Sequence, residues 1–486
     1  MKYLWTQIIA VSLFISALVT LNCVAQEKNN VLISSKETIT VDSTQYYKEP
    51  FRPQFHFSPE KKWMNDPNGM LYYKGTYHLF YQYYPEDIVW GPMHWGHATS
   101  SDLMHWQHQK IALYPDELGY IFSGSAVMDV NNTSGLGTKE NPPMIAIFTY
   151  HNMEFEKAGK INMQTQGLAY SLDEGQSWKK YEANPIINNF NLRDFRDPKA
   201  FWNGDTKKWN LVLVAGDRAQ IYTSDNLLQW KLESEFGQNN GAHGGVWECP
   251  DLFKLKTENN QEEKWVLLVS INPGAPNGGS ATQYFIGDFD GKIFTTSQKD
   301  TKWVDNGTDN YAGVTYNDTP NGERIFLGWM SNWNYARNTP TTNWRSAMTL
   351  PRTLSLSKIK GDYVLQNKPV TQFDQQLTTA FSKEKIEIKK GSEKTLNYSN
   401  FNQSQIQFKT ENKNLKLVFS NEVNDALTLN YDAQKQQFSI DRRHSGKVNF
   451  EKSFGEKIHT TPTSNLNTKI IDFQIILDWS SIEIFL

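Results

Sequence analysis

The chain has 486 residues, more than one typical hydrophobic core holds, so two domains are expected. Its formal charge is only −3 and it has no Lys/Arg-rich tract, which argues against nucleic acid as a partner. Its 16 Trp and 22 Tyr often stand beside Asn, Asp or Gly; such rings usually fill cores but make platforms for sugar faces when exposed.

At the N-terminus, Lys2 precedes the apolar run "IIAVSLFISALVTL" (8–21), followed by "NCVAQ". The run is shorter than the about 20 residues a spanning helix needs. It matches the apolar region of a secretory signal peptide with cleavage after Ala25. Residues 1–25 are therefore expected to direct secretion or export to the periplasm, with no membrane span. A lipid anchor on Cys23 is the lesser alternative, because Asn22 is larger than a lipidation motif normally allows. After cleavage Cys249 is the only cysteine, so no intrachain disulfide framework is possible. Residues 26–49 read as a linker.

Residues 50–355 read as short strands, among them "MLYYKGTYHLFYQYY", "PMIAIFTY", "WNLVLVAG", "KWVLLVSI" and "RIFLGWM". They are rich in β-branched and aromatic residues and are broken by Gly, Asn and Asp. A repeat links "SSDLMHW" (100–106), "SLDEGQSW" (171–178) and "TSDNLLQW" (223–230): a Ser and an Asp, a short turn, then Trp. Units of 40–50 residues with several strands each are the mark of a propeller. Five such units can be traced, opening at "NDPNG", "FSGSAVMD", "FRDPKAFW", "WECPDLF" and "DNYAGVTY". The expected fold is all-β: a five-bladed β-propeller over 50–355, a linker at 356–380, and a β-sandwich over 381–486. The sandwich segment alternates apolar and polar residues, as in "KIEIK", "QIQFK" and "FQIILDW".

The stretch "KWMNDPNGMLYY" (62–73) puts Asp66 where a tight turn would accept it. Aligning the units puts Asp66, Asp197 and Glu248 at the starts of units one, three and four, each closely followed by Pro. First strands line a propeller's channel, so the three acids are expected to share one cavity. A residue directly before Pro is held extended, which would fix the aim of Asp66 and Asp197. Clustered carboxylates either bind a hard cation or work on a glycosidic bond. Calcium loops tend to draw several oxygens from one segment, whereas these acids are isolated in three units. Glycoside hydrolysis needs one carboxylate ionised and one acid kept protonated. Glu248, between Trp247 and Cys249, is expected to be raised by desolvation, and Asp197 to be kept ionised by Arg196. "MHWGH" has no plausible third ligand nearby, so no metal is expected.

These residues also carry a family resemblance. "WMNDPNG", "YQYYP", "WGPMHWGHATSSDL", "FSGSAV", "FRDP" and "ECPDLF" occur in the order seen in glycoside hydrolase family 32, the β-fructofuranosidases, which the chain resembles over about 50–486. The resemblance implies a five-bladed propeller followed by a β-sandwich. It implies Asp66 as nucleophile, Glu248 as general acid and then base, and Asp197 as transition-state stabiliser. Nucleophile and acid would then stand about 5–5.5 Å apart, as in retaining enzymes. Further matches imply substrate contacts from Asn65, Gln82, Trp90, Phe122, Ser123, Arg196, Tyr311 and Trp329, and no cofactor.

Two departures matter. Tyr84 stands where many relatives carry Asn, which touches the rim of the site and leaves leaving-group preference open. The chain stops at "SSIEIFL" where relatives continue, so the sandwich reads as truncated. The segment "SINPGAPNGGSATQYFIGDFDG" (270–291) resembles exo-acting levanases and inulinases, though its composition also suits an exposed loop. The reading is a retaining exo-hydrolase that releases terminal fructose from levan or inulin, and from sucrose. Invertase and fructosyltransferase are the rivals of the same class; a non-catalytic glycan-binding propeller is the rival of another.

Overall fold

The computed structural model describes residues 47–486 except 259–261, 399, 465 and 467, together with two short strands at 19–20 and 31–36. The expected signal peptide and Cys23 lie outside the described residues, apart from the two-residue strand. Among the described residues helix is confined to short turns, and no helix is long and apolar enough to cross a membrane.

Five antiparallel sheets follow one another along the chain. Blade one is built from Lys62–Tyr73, Thr76–Tyr84, His94–Ser100 and Gln107–His108. Blade two holds Tyr120–Met128, Met144–His151, Gln164–Ser171 and Lys179–Lys180. Blade three holds Phe195–Asn203, Lys208–Ala215, Ala219–Ser224 and Lys231–Phe236. Val246–Lys256, Glu263–Asn272 and Ala281–Phe289 form the body of blade four. Blade five holds Tyr311–Thr315, Arg324–Met330, Arg352–Ile359 and Asp362–Pro369. Each first strand adjoins the next, and Tyr311–Thr315 returns to Lys62–Tyr73, which closes a five-membered ring. Trp344–Arg345 also pairs in parallel with Lys62–Tyr73, tying the last unit to the first.

The repeated Ser-Asp-Trp turns have one physical cause. Asp102 accepts from the Met104 and His105 amides at 2.9 and 2.8 Å, and Trp106 Nε1 donates to the Leu103 carbonyl at 3.0 Å. Asp173 accepts from the Ser177 amide and Trp178 Nε1 donates to the Gly175 carbonyl. In the third turn Asn226, not Asp225, receives the Leu228 and Gln229 amides, while Trp230 donates to Leu227. Asp225 instead pairs with Lys208 at 2.7 Å. Leu103, Glu174 and Leu227, each directly after the capping residue, all have left-handed φ, of 67°, 57° and 64°, and the second turn adds one residue, Gly175, at φ 85°.

Two stretches read as linkers are structured. Residues 352–369 form a hairpin turned at Lys360-Gly361, both at positive φ, which completes blade five. The segment Val31–Lys36, rich in β-branched and apolar residues, pairs with Leu377–Lys383 on one side and Ser404–Glu411 on the other. That sheet continues through Ile470–Asp478 to Ser481–Phe485. A second sheet of four strands runs from Leu415–Ser420 to Ile458–Pro462. Phe401, Ile406, Leu417, Leu429, Phe473 and Ile475 fill the space between the two, as the period-two pattern requires.

Propeller and sandwich meet at buried charge. His56 Nδ1 is 2.9 Å from Asp478 and its Nε2 is 2.8 Å from Glu483. Glu483 also binds Arg352 at 2.6 Å and accepts from the Leu350 amide at 2.8 Å. Asp478 caps the amides of Gln54 and Phe55.

Candidate active site

All five inner strands break register at the same level, at Met64/Pro67, Ile121/Gly124, Arg196/Lys199, Glu248/Asp251 and Tyr311/Val314. A bulge inserts a residue and re-aims the side chains around it. The acids are equivalent at the level of the bulge but not of the residue. Glu248 is the last paired residue before its bulge, Asp197 the first residue inside its own, and Asp66 the second. Asp197 has φ 62°, and Cys249 and Ala312, at the same place in their bulges, have φ 46° and 53°. Asp197 is thus left-handed, not extended as its Pro neighbour suggested; the bulge overrides the local preference.

Asn65 sets up Asp66. Trp63 Nε1 donates to Asn65 Oδ1 at 2.7 Å, which leaves the Asn65 amide nitrogen to donate to Asp66 Oδ1 at 2.9 Å. Ser123 Oγ donates to Asp66 Oδ2 at 2.7 Å. Asn68 holds the Asp66 carbonyl and accepts from the Gly124 amide, joining the first two bulges.

Asp197 is buried. Its carboxylate accepts from the Cys249 amide at 2.9 Å, and its own amide donates to Thr149 Oγ1 at 2.9 Å. The Cys249 sulfur lies 3.6 Å from both Asp66 Oδ2 and Asp197 Oδ2. Burial and the surrounding carboxylates push the thiol's pKa well up, so it stays protonated and can donate to one of them.

Arg196 faces Glu248 more closely than Asp197. Its Nη2 and Nε are 3.1 and 3.3 Å from Glu248 Oε1, its Nη1 is 2.8 Å from Asp194, and its Nε is 3.8 Å from Asp197. Tyr311 donates its hydroxyl to Glu248 Oε2. Burial raises Glu248, as Trp247 and Cys249 suggested, against the pull of Arg196. Burial also pushes Asp197 up to about 7 despite Arg196, with Glu248 and Asp66 adding to the rise. The expectation that Arg196 keeps Asp197 ionised therefore fails: burial outweighs a guanidinium that is closer to other carboxylates. The charges of Asp197 and Glu248 act on each other, so these two acids titrate together and not singly.

The other residues singled out in the sequence make contacts of their own. Gln82 donates to the Ile121 carbonyl at 3.0 Å. Trp90 meets Phe122 edge-on at 6.0 Å. Trp329 is fully buried among Trp63, Tyr311 and Trp333, and its Nε1–H has no hydrogen-bond partner among the described residues. Tyr84 lies over Gly91, beside Trp90, where a Cβ at 91 would come within 2.4 Å of its ring. Between the strands of 270–291 runs a loop over 273–280, and Asn277 in it reaches the Thr460 carbonyl and amide of the sandwich.

Blade two supplies supports that the sequence reading missed. Gln166 Oε1 accepts from Thr149 Oγ1 at 2.7 Å, and its Nε2 donates to the Phe195 carbonyl, so the pair braces the approach to Asp197. The signal was present: Thr149 and His151, and Gln164 and Gln166, are polar residues two apart within their strands, hence on one face.

A family model described as the glycosyl hydrolases family 32 N-terminal domain matches residues 56–369, and the family's C-terminal model matches 370–486. The chain belongs to glycosyl hydrolase family 32. It is 46% identical over 451 residues to a levanase of Bacillus subtilis, covering 90% of this chain. The chain spans 65% of that relative's length, and 88% of an extracellular exo-inulinase of Aspergillus awamori to which it is 40% identical. A crystal structure of the A. awamori exo-inulinase superposes with a TM-score of 0.76 at 36% identity, covering 90% of this chain and 91% of that one. A fructofuranosidase from Schwanniomyces occidentalis complexed with fructose gives 0.77 at 34% identity, over 92% and 91%. These family 32 neighbours bear out the all-β reading of propeller and sandwich.

Proposed function

We propose that the chain is a retaining, exo-acting glycosidase that releases terminal β-D-fructose from levan or inulin, and from sucrose. The observation that carries this reading is the convergence of Asp66, Asp197 and Glu248 from three blades, with Glu248 raised and Asp66 hydrogen-bonded by Asn65 and Ser123. That divergence of environment is what acid and nucleophile require.

Asp66 attacks C2 of the terminal fructosyl unit while protonated Glu248 gives its proton to the departing glycosidic oxygen. The C2–O bond breaks and an Asp66 ester forms. Glu248, now a carboxylate, takes a proton from water, whose oxygen attacks C2 and frees Asp66. Two displacements retain configuration. Asp197 binds fructose hydroxyls, and Arg196 and Tyr311 hold the Glu248 carboxyl. Asn65, Gln82, Trp90, Phe122, Ser123 and Trp329 complete the fructosyl pocket; no cofactor enters, since the carboxylates carry each proton and bond. The chain is read as exported by residues 1–25, in keeping with an exo-inulinase relative called extracellular.

The test is a time course of sugars released from levan, inulin and sucrose, with Asp66→Asn as control. Fructose as the sole early product from a polymer, lost in the variant, supports exo-hydrolysis. Sucrose cleavage with polymers untouched makes it an invertase. Short oligosaccharides from the start make it an endo-enzyme. Binding without release from any of them leaves a glycan-binding propeller.

A further inference from the structure

His151 ends the second strand of blade two, directly opposite Gln164 on the third. It is buried, and three neighbours engage its ring. Gln164 Nε2 lies 3.1 Å from Nδ1, Glu156 Oε2 lies 2.8 Å from Nε2, and Phe122 stacks face to face with centroids 4.3 Å apart and planes 2° apart. On its far side Gln164 turns Oε1 toward Arg196 Nη1, a long contact of 3.5 Å.

Donor and acceptor rules leave this chain one arrangement. A guanidinium can only donate, so Gln164 must present its oxygen to Arg196. Its amide nitrogen then faces Nδ1, which must accept. The ring proton therefore sits on Nε2, where the Glu156 carboxylate receives it. The charged groups around the ring are Glu156, on the helical turn Met153–Lys157, and Asp194 and Arg196 at the start of blade three. Burial holds the imidazole below its ordinary pKa and Arg196 adds to this, against Glu156 and Asp194.

We propose that His151 is a positioning residue: its neutral, Nε2-protonated ring locks Gln164 in the orientation that holds Arg196, and through Arg196 the Glu248 carboxyl. The role rests on the reading of Glu248 as the acid/base. A proton added at Nδ1 makes that nitrogen a donor. Gln164 then has to rotate, which sets its NH2 against the guanidinium, donor against donor. The imidazolium also places a second positive charge near Arg196. The hold on Glu248 is lost, and kcat/KM falls on the acid side as His151 titrates.

The first test does not depend on substrate. The full chain is labelled with 15N-histidine, and His151→Asn identifies the His151 signals. The expected ring is neutral and Nε2-protonated at pH 7, and in Gln164→Leu, which removes the donor that favours the neutral form, it titrates at higher pH. An Nδ1-protonated ring, or the same titration in both proteins, overturns the proposal. The second test is sucrose hydrolysis. His151→Leu, which accepts nothing from Gln164, is expected to lose about tenfold or more in kcat/KM, mostly in kcat. His151→Asn, whose amide oxygen can accept but cannot be protonated, is expected to recover most of that loss and to flatten the acid limb. Equal kcat/KM and pH profiles in wild type and both variants make the ring a packing residue only. A wild type inactive on sucrose, levan and inulin sinks the proposed function instead, while the tautomer still decides the network.

Discussion

Ser123 donates its hydroxyl to Asp66 Oδ2 at 2.7 Å, across the junction of the first two blades. With Asn65 on the other oxygen, each oxygen of the carboxylate has a donor, so it is aimed by hydrogen bonds from two blades. Asp66→Asn should lower kcat on sucrose by more than about 10⁴-fold, as removal of a nucleophile does. Ser123→Ala should cost about tenfold in kcat/KM, because one donor is lost and the aim loosened. Steady-state kinetics on both variants decide it; a fully active Asp66→Asn protein excludes the nucleophile assignment.

Tyr311 and Arg196 both favour the charged form of Glu248 and hold down a pKa that burial raises. Tyr311→Phe removes one donor to the carboxylate, so Glu248 should stay protonated to higher pH. With Glu248 as the proposed acid, the alkaline limb of kcat/KM should move to higher pH. A limb that stays in place or moves down would show that another group governs it.

The His56 clamp predicts pH-dependent stability. Its hydrogen bonds to Asp478 and Glu483 prevail over burial and raise the folded pKa to about 9. The stabilisation is fully present below the unfolded value of about 6.5 and is lost as pH rises from there through about 9, on the order of 3 kcal/mol. Glu483 shifts down, held by Arg352 and His56 against burial, so its share is present above about 4.3 and is lost as pH falls through its lowered pKa. Thermal unfolding should thus be highest near pH 5–6 for this cluster and decline toward pH 9. His56→Gln should lower Tm at pH 6 and reduce the alkaline decline; an unchanged slope would refute the clamp.

Further along the first strands of blades three and four, Lys199 lies 3.3 Å from Asp251, both buried, and Asp251 also receives the Thr315 amide and hydroxyl. Lys199→Met should destabilise by about 2–3 kcal/mol, because it removes the cation that pairs with a buried carboxylate and leaves Arg324 and the Thr315 donors to offset the charge. Adding Asp251→Asn should recover part of that loss. Denaturant unfolding of the two single variants and the double variant tests the coupling; additive losses would mean the pair is independent.

Strand content, the five units, the sandwich pattern and the three acids are legible along the chain, because each is a matter of period, turn chemistry and short motifs. The repeated Trp turns were legible for the same reason: a side chain that binds backbone two to four residues away is local information. The hairpin at Lys360-Gly361 and the strand at Val31–Lys36 look like linkers in the sequence because their pairing partners lie far along the chain or behind a weak turn signal.

Tertiary structure alone decided which atoms meet. Only ring closure brings Ser123 to Asp66, Cys249 between Asp66 and Asp197, and Thr149 beneath the Asp197 amide. Only the staggered bulges explain how three acids at different strand positions converge from three blades, and why Asp197 takes a left-handed conformation before Pro. Burial is likewise a sum over neighbours from every blade. It raises Asp197 although a cation is its immediate neighbour in sequence, because desolvation acts on the whole surroundings of a charge and chain adjacency contributes one neighbour among many.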